Sequence, residues 1–419
     1  MILNFTVGNY RSFHDPKTLT LQAKKISEEA KDNVTSLLSY NVLKTVALYG
    51  ANSSGKSNLV KAMQAMELCV LGSVKLNDND SLPYDPFLLQ KGNNEPTLFE
   101  ITFLLQGYCY RYGFKYSRTK IEEEWLFRKT TPRSKEQVLF IRNSDGIGVD
   151  EKHFAEGMGC ESKTNDNRLF LSLCQQLGGT ISKEVIGWFH TDINVVSGLN
   201  NIAYREYTKG QFYEDSAVSK EALLFFKKLQ LGFNELLARE ENTASEYPSA
   251  LKEDFPSYAG KKAIEIDSIH NLYDKKGEVC GTVKFPFNDR ESSGTQKLFD
   301  LSGPIFSTLM GGSILVIDEL DAKMHPLISQ YIIGLFNDAK VNLKNAQLIF
   351  TTHDTHLLSL KMLRRDQIWF TEKDDKEQTD LYNLTDILLP DGSKPRNDSN
   401  YEKNYIAGRY GAIPYIVNE

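Results

Sequence analysis

Apolar residues alternate along the first stretch of the chain at Ile2, Phe5 and Val7. They do so again at Leu19 and Leu21, beyond the turn-like His14-Asp15-Pro16. Alternation puts side chains on opposite faces of a pleated strand, so the N-terminus reads as strands. Residues 43–49, LKTVALY, form a short apolar run with β-branched members, the pattern of a strand buried on both faces. Gly50 breaks it. From Ser57 the period changes. Leu59, Val60, Met63, Met66, Val70 and Leu71 recur at three- and four-residue spacing, which predicts a helix. Between 97 and 128 the runs TLFEITFLL, YCYRYGFKY and IEEEWLFRK predict an antiparallel meander. QVLFIRNSDGIGVD predicts a hairpin that turns at Asp145-Gly146.

Residues 165–190 read as helical, with Leu169, Leu171, Leu173, Val185 and Ile186 as core candidates. Residues 215–240 predict an amphipathic helix and the polar stretch 241–262 a loop. AIEIDSIHNLYD and EVCGTVKFPF predict a second hairpin around Lys275-Lys276-Gly277. A helix near 295–309, a strand at SILVID, a helix near 325–340, a strand at AQLIFTT and a final strand around Gln367–Phe370 follow. Helices that alternate with apolar strands indicate an α/β sheet. No internal repeat, low-complexity segment or sustained heptad run occurs, so long coiled-coil arms are not expected.

Composition narrows the class. The chain has 419 residues, with 49 Lys+Arg against 55 Asp+Glu and a net charge of −6. That balance argues against coating nucleic acid through bulk charge, while a local basic groove stays open. With 20 Tyr and 23 Phe the chain is too aromatic for a disordered one. No apolar run reaches the roughly 18–20 residues of a membrane span. The start, MILNFTVGNYRSFHDP, lacks a basic region followed by an apolar stretch, so no secretory signal is expected. Five scattered cysteines without a CxxC pair point to a reducing cytoplasm rather than a disulfide framework or zinc site.

The strongest chemical signal is Gly50-Ala51-Asn52-Ser53-Ser54-Gly55-Lys56-Ser57, a GxxxxGK[ST] match with a buried strand before it and a helix after it. Glycines let the backbone wrap so that successive N–H groups, including those at Asn52, Ser53, Ser54, Gly55 and on toward Asn58, face anionic oxygens. The helix start adds the positive end of its dipole. Lys56 would reach the terminal phosphates of ATP, and the Ser57 hydroxyl would ligate Mg²⁺. The second signal is Ser313-Ile314-Leu315-Val316-Ile317-Asp318-Glu319, an apolar run that ends in two carboxylates. Ligands of such sheets bind at the carboxyl ends of strands. Asp318 would hold Mg²⁺ through water, and Glu319 would orient or deprotonate an attacking water.

Three further motifs carry a family resemblance. Glu291-Ser292-Ser293-Gly294-Thr295-Gln296 resembles the signature loop of ABC-type ATPases. Asp321-Ala322-Lys323-Met324-His325-Pro326 resembles the D-loop, and Gln347-Leu348-Ile349-Phe350-Thr351-Thr352-His353 the switch-histidine strand. Their order is that of ABC heads. FTVGNYRSF, from Phe5 to Phe13, is similar to the opening strand of the SMC and RecF groups. Arg364 to Phe370 and Tyr405 to Pro414 resemble the stand-alone bacterial ATPases of abortive-infection and anti-phage systems, the broad group of the Septu and PARIS ATPase subunits and the ATPase half of OLD proteins. The resemblance covers roughly 1–130 and 285–415.

It implies an α/β P-loop NTPase fold: an ABC-type head with an antiparallel β-subdomain and a short helical insertion. Residues 1–200 would form the N-terminal part of the head, 201–262 the insertion and 263–419 the C-terminal part. Two subunits would sandwich two ATPs. Ser292, Ser293 and Gly294 would act in trans, His353 would contact the γ-phosphate or the attacking water, and Asp321 would bridge to the opposite subunit. The signature departs from the family by reading Ser-Ser-Gly instead of Ser-Gly-Gly. The glutamine that ligates Mg²⁺ in many ABC heads has no placed counterpart, with Gln90 as a guess. Arg11 reads equally as a nucleotide contact or a solvated hairpin arginine.

The remaining polar groups carry plainer readings. His353 and His356 are three apart but follow a strand, and no third metal ligand is evident. His325 beside Pro326 suits a helix start. Asp374-Asp375 suits a polar loop better than a nuclease cluster. Arg364, Arg365, Lys394, Arg396 and Arg409 form either a contact patch or a salt-bridged face. The resemblance thus implies a cytoplasmic ATP-driven dimeric switch that controls a separate, co-encoded effector, whether nuclease, toxin or retron component. The alternative is a RecF- or SMC-like ATPase acting directly on DNA. A transporter subunit is disfavoured, and a self-contained OLD-type nuclease would need a further domain for which the chain ends too soon.

Overall fold

The computed structural model describes residues 1–28, 31–197, 202–240, 263–359, 361–389 and 392–414. Its centre is a six-stranded sheet in the order Ile193–Ser197, Ile314–Asp318, Gln347–Thr351, Thr45–Tyr49, Ile368–Lys373 and Thr379–Asn383. The first five strands run parallel, and only the last pairing is antiparallel. A seven-stranded antiparallel sheet lies beside it. It places Ile2–Gly8 between Lys17–Thr20 and the meander Thr97–Leu105, Tyr108–Tyr116, Ile121–Lys129, with the hairpin Gln137–Asn143 and Gly146–Val149 at its far edge.

The parallel sheet is buried on both faces, and the two-residue period sorts its side chains. Val46, Leu48, Ile314, Val316, Ile349 and Trp369 join one core with the antiparallel sheet and the helix Lys56–Gly72. Ala47, Tyr49, Leu315, Ile317, Leu348 and Phe370 join the other with the helices Ala217–Leu229, Ser293–Gly311 and Pro326–Asn337. Each large apolar side chain so buried contributes about 1.5–3 kcal/mol, which is why these strands read as continuous apolar runs.

The meander, both hairpins and the helices that flank the SILVID strand form as the periodicity predicts. Four expectations change. Residues 215–240 are not one helix: it ends at Leu229, where Gln230 turns left-handed at φ 52° and Gly232 follows at φ 96°. Glu235–Glu240 is then a strand paired with Ile264–Tyr273, with Leu236 buried on one face and Leu237 exposed on the other. The 165–190 helix is two helices, Phe170–Gln176 and Thr180–Asp192, split at Gly178, whose φ of 93° a helix cannot continue. Ile193–Ser197 is an edge strand of the central sheet that no pattern announced. Ile368–Lys373 is not the final strand, since Thr379–Asn383 folds back on it. The stretch 241–262, read as a loop, lies outside the described residues.

The helix Ser293–Gly311 contains Pro304 and so lacks one backbone donor. The carbonyl left without it belongs to Asp300, and the Thr208 hydroxyl donates to that oxygen at 3.0 Å. Thr208 lies on the helix Ile202–Tyr213, which packs into the notch at Gly303, where any Cβ would strike Thr208.

Candidate functional site

The strand Thr45–Tyr49 delivers Gly50 to the carboxyl edge of the sheet. A Cβ on Gly50 would stand 2.5 Å from both Ser54 Oγ and the Thr371 carbonyl oxygen, and a Cβ on Gly55, at φ 113°, would collide with Thr379. Both positions therefore require glycine. Ser53 is also left-handed at φ 64°. Asn52 and Ser53 are exposed, Ser54, Gly55 and Lys56 are buried, and Ser57 and Asn58 lie between. Lys56 Nζ donates to the Gly50 carbonyl at 2.7 Å and to that of Ala51 at 3.0 Å. Burial pushes its pKa down to about 8, against the pull of Asp318, Glu319 and Asp321. Neighbouring hydroxyls brace the loop: Ser54 Oγ lies 2.6 Å from Thr371 Oγ1, and Thr379 Oγ1 donates to the Ser54 carbonyl at 3.0 Å. The Asn58 amide donates to Ser12 Oγ at 2.7 Å, so the N-terminal hairpin touches the P-loop helix.

The carboxylates sit two strands away. Asp318 ends its strand, and Glu319 leaves it with a left-handed backbone at φ 57°. Thr351 Oγ1 donates to Asp318 Oδ1 at 2.7 Å and accepts the Glu319 N–H at 2.7 Å. The Leu320 N–H donates to the Thr351 carbonyl at 3.0 Å. Asp321 accepts the His353 N–H at 3.3 Å, so the fold brings these two residues together. Burial and then the Lys56 charge hold the His353 imidazole below its ordinary pKa, which keeps the ring neutral near pH 7.

The Ser292 side chain caps the helix Ser293–Gly311 by accepting the Thr295 N–H at 3.1 Å. Ser292 and Ser293 are exposed, and a Cβ on Gly294 would stand 3.0 Å from the Lys323 carbonyl. The segment from Ser292 to Gly294 thus abuts its own chain's Asp321–Pro326 loop and presents its start to solvent. Gln90 is exposed in a turn closed by the Asn93 N–H at 3.2 Å. Arg11 Nε pairs with Asp85 at 2.7 Å. His356 pairs with Glu402, and among the described residues no cluster of three His, Cys, Asp or Glu could hold a metal. His325 caps the helix Pro326–Asn337. Asp374 accepts the Lys376 and Gln378 N–H groups of its own turn. Arg364 and Arg365 pair inward with Asp366 and Glu28, and Arg396 pairs with Asp398.

Nothing in the pattern of the chain assigns a role to Lys297, Thr351, Thr371, Thr379 or Ser12. Lys297 stands between polar Thr295-Gln296 and Leu298-Phe299-Asp300, an ordinary amphipathic helix pattern with no local signal of its burial. It is 3% exposed, and burial lowers its pKa to about 8. The donor set at the sheet edge suits a nucleotide and a divalent cation: a glycine-shaped loop, one buried ammonium, a hydroxyl at Ser57 and a carboxylate at Asp318.

The family model described as "AAA domain, putative AbiEii toxin, Type IV TA system" matches residues 46–155 and 209–359. Comparison with curated proteins returns no match. Among the described residues, no helix is long and apolar enough to cross a membrane.

Proposed function

This chain belongs to that AAA-domain family of P-loop ATPases, and from this premise we propose that it is an ABC-type ATPase head that hydrolyses ATP as a dimeric switch. The observation that carries the reading is the glycine-shaped loop from Gly50 to Ser57, with Lys56 buried in it, at the same sheet edge as Asp318 and Glu319 two strands away. In this reading residues 1–200 and 263–419 form the head and 201–262 an insertion.

The loop from Gly50 to Asn58 receives the phosphates through its N–H groups, and Lys56 neutralises the terminal ones. Ser57 and Asp318 would hold Mg²⁺, which would supply charge neutralisation at the phosphates. Glu319 takes the proton of the attacking water, and neutral His353 offers that water or the γ-phosphate a hydrogen bond. The exposed Ser292 and Ser293, with the partly buried Gly294 beside them, complete the site of a second copy, and Asp321 contributes at the same interface. The family's tie to abortive infection supports a cytoplasmic switch that governs a separate, co-encoded effector.

The test is Glu319→Gln. It is expected to retain ATP, to lose turnover by about 100-fold and to accumulate as an ATP-dependent dimer in light scattering. Turnover at the wild-type rate would overturn the role of Glu319, and a monomer under all nucleotide conditions would overturn the sandwich. Pull-down of the neighbouring gene's product tests the effector.

A further inference from the structure

The left-handed backbone of Glu319 needs something to hold it, because a side chain rarely adopts that conformation unaided. Its N–H is held by the Thr351 hydroxyl. Its carbonyl is held by Lys297, which reaches across from the helix Ser293–Gly311. Lys297 Nζ donates to the carbonyls of Glu319 at 3.1 Å, Leu320 at 3.3 Å and Ala322 at 2.7 Å. Three acceptors match the three N–H bonds of an ammonium. The loop they belong to contains a second left-handed residue, Lys323, at φ 60°. The same loop backs onto the signature segment, where a Cβ on Gly294 would stand 3.0 Å from the Lys323 carbonyl.

We propose that Lys297 is a positioning residue for ATP hydrolysis: from the signature helix, it holds the peptide of Glu319 so that the carboxylate points where a water must be activated. The proposal rests on the ATPase reading above. A general base contributes only when its oxygen is within hydrogen-bond reach of the proton it takes, and a misplacement of about 1 Å can cost on the order of 100-fold. Lys297 acts on the backbone that aims the carboxylate, through the Glu319, Leu320 and Ala322 carbonyls. A buried ammonium is an expensive way to cap three carbonyls, since burial disfavours its charge.

The experiment uses the full chain. Wild-type turnover is measured first with ATP and Mg²⁺. If the wild type does not hydrolyse ATP, the ATPase reading fails on its own, whatever Lys297 does. Given turnover, Lys297→Met is expected to bind a fluorescent ATP analogue within about twofold of wild type while kcat falls about 10- to 100-fold. Lys297→Arg, which keeps the charge and several donors, is expected to recover most of kcat. A wild-type kcat in Lys297→Met overturns the proposal. So does a loss of kcat that comes with an equal loss of affinity and is not relieved by arginine. If Lys297→Met unfolds at the assay temperature, Lys297→Gln replaces it. That variant keeps a neutral donor, and the same outcomes on kcat and affinity decide.

Discussion

The Thr351 hydroxyl stands 2.7 Å from the Asp318 carboxylate on the neighbouring parallel strand, and the same oxygen accepts the Glu319 N–H. Thr351 is fully buried. One side chain therefore satisfies two groups of the adjacent carboxylate pair. Thr351→Val keeps the shape and removes both bonds. We expect a loss of about 1–3 kcal/mol in urea unfolding, the cost of polar groups left unpaired. ATP turnover should fall more than nucleotide affinity. Unchanged turnover would show that the bond is not needed to aim either carboxylate.

Gly55 carries no side chain for two reasons: its φ of 113° and the proximity of Thr379. Gly55→Ala should destabilise the protein by about 1–3 kcal/mol and abolish nucleotide binding. Adding Thr379→Ala removes the hydroxyl and the methyl that a Cβ at position 55 would strike, but not the backbone strain. The double variant is expected to regain part of the stability in thermal melts. Full recovery would mean that the collision alone excludes a side chain.

Glu67, on the P-loop helix, has its pKa raised to about 7 by burial. Between the ordinary value of about 4.5 and about 7, the folded state holds a proton that the unfolded chain releases. Stability contributed by this group therefore falls as pH rises across that window, and the cost is complete above it. Glu67→Gln is expected to melt higher than wild type at pH 8 and nearly together with it at pH 4.5. Equal melting shifts at both pH values would contradict this.

Arg205 grips Asp300 through two bonds, at 2.9 and 3.0 Å, and ties the helix Ile202–Tyr213 to the helix Ser293–Gly311. The Asp300 side chain is 1% exposed and that of Arg205 31%. Removing one partner of such a pair strands a buried charge. Arg205→Leu should cost about 2–4 kcal/mol. A double-mutant cycle with Asp300→Asn should show coupling of about 1–3 kcal/mol. Additive losses would mean that the two residues act separately.

Much of the fold was legible because its signals are local. The P-loop announces itself in eight consecutive residues, and the turns at Gly146 and Gly277 need only a glycine between two strands; both adopt positive φ. His325 and Asp374 took the plain local roles their neighbours suggest. Residues 215–240 look like one helix because helical and alternating periods overlap in a short apolar run, and Gln230 carries no sign of the turn it makes. The edge strand Ile193–Ser197 is short and only gains its partner from a strand more than a hundred residues away.

The sequence by itself determined the phosphate loop, the acidic end of the SILVID strand and the alternation of strand and helix, since each depends on neighbours within a few positions. Only the tertiary structure decided what braces them. Ser54 meets Thr371 across a separation of 317 residues, and Gln367 reaches Thr45 across 322. Lys297 finds the Glu319 carbonyl only once a helix and a strand end have packed together. Hydrogen bonds between distant residues leave no spacing in the chain to read, because the sheet order that creates them is set by burial of both faces at once.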